Sequence, residues 1–125
     1  MSEILWCADN GDGTYRNPVL YCDYSDPDAI CVNGTYYLTA STFNYVPGLP
    51  ILTSRDLVNW KLRNYAVKNI PEARYAAPQH AQGIWAPAIR FQNGRFYGNT
   101  AQMRWSAGEW IFRQIQMQIS KIYWR

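Results

Sequence analysis

The sequence predicts an all-β fold, and the first reason is a short phrase that occurs twice. Residues 29–37 read AICVNGTYY and residues 88–97 read AIRFQNGRFY, at an offset of 59 residues, or 60 after one inserted Gln. Each copy combines a short apolar run, an Asn-Gly pair and an aromatic run, which is typical of a β-hairpin with a type I′ turn. Hairpins repeated at a long period favour an array of sheets such as a β-propeller. A chance match between two hairpins of an ordinary β protein is the alternative.

The composition agrees with a sheet protein. Of the 125 residues, 48% are hydrophobic and 16% are aromatic, which excludes disorder for most of the chain. Aromatic residues suit pleated sheets and also surfaces that stack on sugars, and composition does not separate the two. The net charge is +3 without any run of basic residues, so we expect no nucleic-acid partner.

Neither the cysteines, the histidine nor the first residues point to a metal, a cofactor or a membrane. Cys7, Cys22 and Cys31 lack metal-ligand spacing, and the single histidine, His80, has no cysteine near it in sequence. The first residues include Glu3, no basic segment and no apolar run long enough to cross a bilayer. We therefore expect no metal, no cofactor and no membrane contact, and a reducing, cytoplasmic location.

Turn chemistry divides the chain into two units. The first, about residues 17–66, contains four predicted strands, the number in one propeller blade, and a capped turn at residues 54–57. The second covers about residues 83–97. Asn-Gly turns are expected at residues 33–34 and 93–94. The six predicted strands are Ala29–Val32, Thr35–Ala40, Ile51–Ser54, Trp60–Leu62, Ala88–Phe91 and Arg95–Tyr97.

The strand pattern stops after the second hairpin. Residues 98–105 show no alternation, and residues 109–125 fit a helix or a strand equally well. Asp56 is the sixth and last Asp of the chain, so the composition also changes. We therefore predict an incomplete domain over residues 1–97 and an irregular, atypical tail over residues 98–125, for which an aberrant reading frame is one explanation. A closed propeller needs at least four blades, so two units predict an N-terminal piece of one.

Six short motifs follow one another along the chain, and together they resemble a known family. Each alone is weak, but their order and blade-like spacing resemble the N-terminal part of glycoside hydrolase family 43, from about Asn10 to Tyr97. That family holds β-xylosidases and α-L-arabinofuranosidases on a five-bladed β-propeller, so the resemblance implies about two blades of it. The Ser-Thr-Phe loop is most similar to the β-xylosidase branch. The motifs are Asn17–Leu20, Tyr24–Ala29, Ser41–Phe43, Pro47–Gly48, Ser54–Trp60 and Gly83–Pro87.

The resemblance makes Asp26 the general base of the reaction. An inverting glycosidase uses one carboxylate to activate water and a second, roughly 6.5–9.5 Å away, to protonate the leaving oxygen. Pro27 is expected to keep the Asp26 backbone extended and so to help aim the carboxylate. The alternative is that Asp26 and Asp28 only shape a turn before the strand.

Phe43 and Trp85 fall where the family places aromatic residues against the sugar. The faces of sugar rings present C–H groups that pack on aromatic planes. Core packing is the alternative for both residues. The resemblance therefore predicts a pentose-containing oligosaccharide as the binding partner.

Two acids of the family pattern are missing from the sequence. The family has an Asp shortly after the strand that matches residues 95–97 and a general-acid Glu on a later blade. Here Glu109 is the only acid after Tyr97, and its surroundings do not match. One carboxylate does not perform both roles of the mechanism.

The sequence thus predicts a truncated glycoside hydrolase for O-glycosyl bonds of xylan- and arabinan-type pentose oligosaccharides. Its mechanism would be inverting acid–base hydrolysis, and its own activity absent or slight. We expect it to self-associate through open blade edges. The alternatives are a non-catalytic carbohydrate-binding β domain and a small β domain without a role in sugar binding.

Overall fold

The computed structural model describes residues 6–70, 73–78, 80–104 and 109–117, and its regular elements there form two antiparallel sheets. Four strands form the first sheet, blade one, and they pair in chain order: β1 Asp28–Val32, β2 Thr35–Thr39, β3 Gly48–Ser54 and β4 Lys61–Val67. Three strands form the second sheet, blade two, also in chain order: β5 Ile84–Gln92, β6 Arg95–Arg104 and β7 Glu109–Met117. A 3₁₀ turn at Ala73–Ala76 lies in the connection between the blades.

The repeated phrase forms two hairpins with the same turn geometry, as predicted. Asn33 and Asn93 both have φ of 50°, and Gly34 and Gly94 both have φ of 72°. A type I′ turn requires positive φ at both central residues, and Asn followed by Gly reaches it at low cost. The local sequence therefore fixes both turns.

The offset between the hairpins is 60 residues throughout, so the predicted insertion of one Gln is wrong. Asp28 pairs with Thr39 in blade one, and Ala88 pairs with Asn99 in blade two. The Ala-Ile pairs at residues 29–30 and 88–89 suggested an offset of 59 residues. The turn sets the register of a hairpin, whereas side-chain similarity does not. Ala88 therefore occupies the place of Asp28 in the repeat.

The six predicted strands are all found, with shifted ends. β3 begins at Gly48 rather than at Ile51, and β4 covers residues 61–67 rather than 60–62. Every residue of β3 is buried, because this strand lies between β2 and β4 in the interior of the sheet. A buried strand reads as a continuous apolar run rather than an alternation, which hid its start in the sequence.

The segment after Tyr97 is regular where the structure describes it, so the prediction of an irregular tail is wrong there. β6 continues to Arg104, and β7 takes up residues 109–117, for which helix and strand both fitted the sequence. A backbone ladder pairs β5 with β6 and β6 with β7, and this pairing overrides the weak side-chain alternation. Residues 105–108 and 118–125 of the predicted tail lie outside the described residues.

The main hydrophobic core lies between the two blades. Its fully buried members are Leu49 and Ile51 of blade one and Ile84 and Ile89 of blade two, each at most 3% exposed. A second cluster covers the other face of blade one, where segments outside the sheet contribute Leu20, Tyr24 and Trp60. Blade one is thus packed on both faces.

A polar seam joins the blades next to this core. Thr42 and Ile84 exchange two backbone hydrogen bonds of 2.9 and 3.0 Å, and the Gly83 N–H donates to the Phe43 carbonyl at 2.8 Å. A Cβ on Gly83 would lie 1.9 Å from the Thr42 carbonyl oxygen, so only glycine permits this approach. The seam fixes the start of β5 against the loop that follows β2.

Candidate active site

Asp26 lies at the corner that leads into β1, and its backbone is not extended as predicted. Its φ is 46°, in the left-handed region that Asp tolerates better than most residues. The same conformation recurs at Ala86, the residue before Pro87, where φ is 44°. The expectation based on Pro27 alone was wrong because tertiary contacts override it: the Ser41 N–H donates to the Ser25 carbonyl at 2.9 Å and holds the corner.

Ser41 connects the Asp26 carboxylate to blade two. Its hydroxyl donates to Asp26 Oδ2 at 2.9 Å, and it accepts a hydrogen bond from the Ala86 N–H at 2.8 Å. Ser41 is buried, whereas Asp26 is exposed to solvent. Sequence reasoning recognised Ser41 only as part of the Ser-Thr-Phe motif and missed this contact. The motif was the only signal available, because the partners lie 15 and 45 residues away.

Phe43 and Trp85 contact each other. Their ring centroids are 5.1 Å apart with an angle of 71° between the planes, which is an edge-to-face pair. Phe43 follows the Ser41–Thr42 segment directly, and Trp85 precedes Ala86, so the pair adjoins the hydrogen bonds that reach Asp26. Both side chains are half-buried, which suits a sugar-stacking surface and a partial core role alike. The structure brings the three predicted site residues together.

Asp28 does more than shape a turn, because it clamps blade two. Its Oδ2 accepts hydrogen bonds from the Ile89 N–H at 2.8 Å and from Arg90 Nη1 at 2.6 Å. Charge-assisted bonds of this kind are stronger than neutral ones. The two acids of the Asp-Pro-Asp phrase therefore have different roles: Asp26 is presented to solvent, and Asp28 is committed to the inner strand of the next blade.

The hydroxyl groups of Tyr24, which lies two residues before Asp26, and of Tyr45 have raised pKa values. Burial raises the pKa of Tyr24 to about 12, and burial also raises the pKa of Tyr45. Tyr65 and Cys22 lie close enough to add to both shifts.

Among the residues that the structure describes, no group of three or more His, Cys, Asp or Glu side chains could hold a metal ion. No helix in that part of the chain is long and apolar enough to cross a membrane.

An exposed carboxylate and a pair of contacting aromatic rings thus lie at the seam of the two blades. The comparisons with known proteins give the family. The model of glycosyl hydrolases family 43 matches residues 15–114, and the chain belongs to this family. The match extends past Tyr97, through β6 and into β7. The solved members that the chain resembles are five-bladed β-propellers, of which this chain supplies a partial set of strands.

Relatives with curated names cover both sugar specificities. A non-reducing end alpha-L-arabinofuranosidase of Bacteroides ovatus is 39% identical over 97 residues, which are 74% of this chain and 18% of that protein. A beta-xylosidase of Formosa agariphila is 37% identical over 94 residues, or 72% of this chain and 16% of that protein. The chain thus spans less than a fifth of the length of these relatives.

Solved structures agree with the sequence relatives. A mutant of the GH43 protein BlXynB from Bacillus licheniformis superposes with a TM-score of 0.67 at 35% identity, over 80% of this chain and 20% of that one. A xylan beta-1,4-xylosidase from Bacillus halodurans gives a TM-score of 0.63 at 26% identity, over 79% of this chain and 19% of that one. The two-blade arrangement is therefore the one found within complete family members.

Proposed function

We propose that this chain forms the base-bearing part of a pentose-releasing glycosidase site and that, by itself, it has little or no hydrolytic activity. The observation that carries the proposal is the exposed Asp26 carboxylate, held by Ser41 beside the Phe43–Trp85 pair. The substrates would be xylan- or arabinan-type oligosaccharides, because the named relatives are xylosidases and arabinofuranosidases.

The reaction assigns Asp26 a single step. As general base it would take a proton from a water molecule while that water attacks the anomeric carbon from the side opposite the leaving oxygen. The leaving oxygen needs a proton from a second carboxylic acid, and the family places this acid on a later blade. A chain with the base alone can therefore position water and sugar without completing the cleavage.

The aromatic pair would supply sugar contact. Edge-to-face packing fixes the orientation of both aromatic rings. Each ring would then offer a defined surface to the C–H groups on the face of a sugar. Removing either ring should weaken sugar binding without changing the chemistry at Asp26.

Two measurements on the isolated chain test the proposal. Hydrolysis of nitrophenyl β-xyloside and nitrophenyl α-arabinofuranoside should be negligible, even though nitrophenol needs little protonation to leave. Xylo- or arabino-oligosaccharides should perturb NMR signals near Phe43 and Trp85, and Phe43→Ala or Trp85→Ala should reduce this binding. Ordinary turnover that disappears in Asp26→Asn would contradict the fragment proposal, because it would require a second catalytic acid within the chain.

A non-catalytic carbohydrate-binding role is the second candidate. It is favoured by the aromatic pair, which is complete within the chain while the general acid is not. The two candidates differ when the missing blades of a relative are fused after residue 117. The catalytic proposal expects activity that depends on Asp26, whereas a binding domain would gain none.

A further inference from the structure

We propose that Ser41 is a positioning residue that couples the Asp26 carboxylate to the docked inner strand of blade two. The inference rests on the proposed function of Asp26 as the general base. Ser41 is 1% exposed, and its hydroxyl group forms two hydrogen bonds: it donates to Asp26 Oδ2 on the side of blade one, and it accepts from the Ala86 N–H across the seam.

The direction of these hydrogen bonds is fixed by chemistry. A backbone N–H can only donate, so Ala86 requires the Ser41 oxygen as an acceptor. The Ser41 hydroxyl proton then remains free to donate, and the acceptor in reach is Asp26 Oδ2 at 2.9 Å. The Ala86 N–H thus donates to Ser41, Ser41 donates to Asp26 as the final acceptor, and each hydrogen bond polarises the other.

This arrangement divides the work between the two oxygens of the Asp26 carboxylate. Oδ2 is held by Ser41, while Oδ1 accepts no hydrogen bond from the residues that the structure describes. Asp26 is exposed, and Oδ1 is the oxygen that these hydrogen bonds leave available to water. Ser41 would therefore set the direction in which the base faces its water.

The coupling depends on blade two being in place. Ala86 presents its N–H to Ser41 from the irregular part of β5, where the register with β6 shifts between Trp85 and Ala88. The neighbouring residue Thr42 serves the seam itself, through its backbone bonds to Ile84. Adjacent residues thus have separate tasks: Thr42 joins the blades, and Ser41 transmits that contact to the base.

The experiment follows two backbone amides of the isotopically labelled full chain by NMR during a pH titration. Ala86 reports on Asp26 through Ser41, and Ile89 reports on Asp28, whose Oδ2 it contacts directly. Arg90 is paired with Asp28, and Asp23 and Tyr24 precede Asp26 on the same segment. In the wild-type chain we expect both amide signals to move as the carboxylates are protonated.

Three variants separate the contributions. Ser41→Ala should abolish the titration of the Ala86 signal and leave that of Ile89. Asp26→Asn, at an exposed site that should not disturb folding, should have the same selective effect. Asp28→Asn should do the reverse.

A wild-type Ala86 signal that does not titrate, or one that still titrates in Ser41→Ala or Asp26→Asn, would overturn the coupling. A serine that only satisfied the Ala86 N–H would give such a result. No substrate is used, so the outcome is independent of whether Asp26 acts in catalysis, which the fused enzyme tests separately.

Discussion

The two proline corners of the molecule share a backbone and differ in chemistry. Asp26 and Ala86 precede prolines 60 residues apart and have φ values of 46° and 44°. Only the first corner has a carboxylate, while the second contributes a backbone N–H and the adjacent Trp85. The repeat therefore supplies a frame, and the site arises from the residues in which its copies differ.

The same asymmetry appears two residues after each corner, at Asp28 and Ala88. Asp28 of blade one clamps β5 through Ile89 and Arg90, and its counterpart in blade two is Ala88, which has no carboxylate to offer a following blade. Ala88, Arg90 and Tyr97 line a partly open pocket on blade two. Blade one thus has a packed cluster on each face, and blade two is held against blade one by the shared core and the Asp28 clamp.

The largest expected effect comes from removing the carboxylate that distinguishes the corners. In an enzyme with the missing blades restored, Asp26→Ala should lower kcat by about 10²–10⁴, the usual contribution of general acid–base catalysis. If Asp26 is the general base, as proposed, its water attacks opposite the leaving group, and proton NMR of the first-formed sugar should show inversion. A retained anomer, or a near-normal rate in Asp26→Ala, would remove Asp26 from the mechanism.

The next effect concerns the seam that holds the corners together. Gly83→Ala would place a Cβ 1.9 Å from the Thr42 carbonyl oxygen, and backbone atoms cannot yield that distance. We expect a loss of about 3 kcal/mol in the free energy of unfolding, the upper end of the usual cost of overpacking, measured by urea denaturation. Gly94→Ala is the matched control: it meets no atom within 4 Å and should cost about 1 kcal/mol through its positive φ alone. Equal losses would show that the close approach is not what demands glycine at residue 83.

Local chemistry decided which features the sequence could predict. The Asn-Gly turns depend on adjacent residues, so both hairpins were predicted correctly, and the six ordered motifs indicated Asp26, Phe43 and Trp85. The contact of Ser41 with Ala86 spans 45 residues, and no local pattern encodes it. The left-handed backbone of Asp26 ran against the preference imposed by Pro27 for the same reason, since the tertiary contacts of Ser41 hold it. Strand β7 became recognisable only through its pairing with β6.

A smaller effect should follow from removing the clamp at Asp28. Asp28→Ala leaves the Ile89 N–H without its acceptor, which should cost about 1–3 kcal/mol in urea denaturation. Asp28→Asn keeps an acceptor oxygen and loses only the ion pair with Arg90, which is worth at most about 1 kcal/mol at this exposure. In the restored enzyme Asp28→Ala should reduce activity less than Asp26→Ala. The reverse order would exchange the roles of the two acids.

Open sheet edges should make the chain associate in solution. Within the described residues, β4 pairs only with β3 and β7 pairs only with β6, so the outer edge of each sheet presents unpaired backbone groups. We expect the isolated chain to associate, with size-exclusion elution that shifts with concentration. A monomer that melts cooperatively at every concentration would contradict this.

The smallest expected effect is a loss of local stability at low pH, which should occur in a turn of blade one and not in the corresponding part of blade two. Asp56 accepts hydrogen bonds from the Asn59 side chain and backbone, from the Val58 backbone and from Ser54, and these bonds hold its pKa well below the ordinary value. A carboxyl group with a lowered pKa in the folded state stabilises the fold above its unfolded pKa of about 3.9, and that contribution is lost as the pH falls further. Blade two has no Asp in any turn. Below about pH 4, protection of amides from exchange, measured relative to their intrinsic rates, should therefore be lost first around the Ser54–Trp60 turn. Asp56→Asn should weaken this pH dependence and leave protection at the Asn93-Gly94 turn unchanged. An equal loss of protection at both turns would mean that the acid sensitivity is global and does not arise from Asp56.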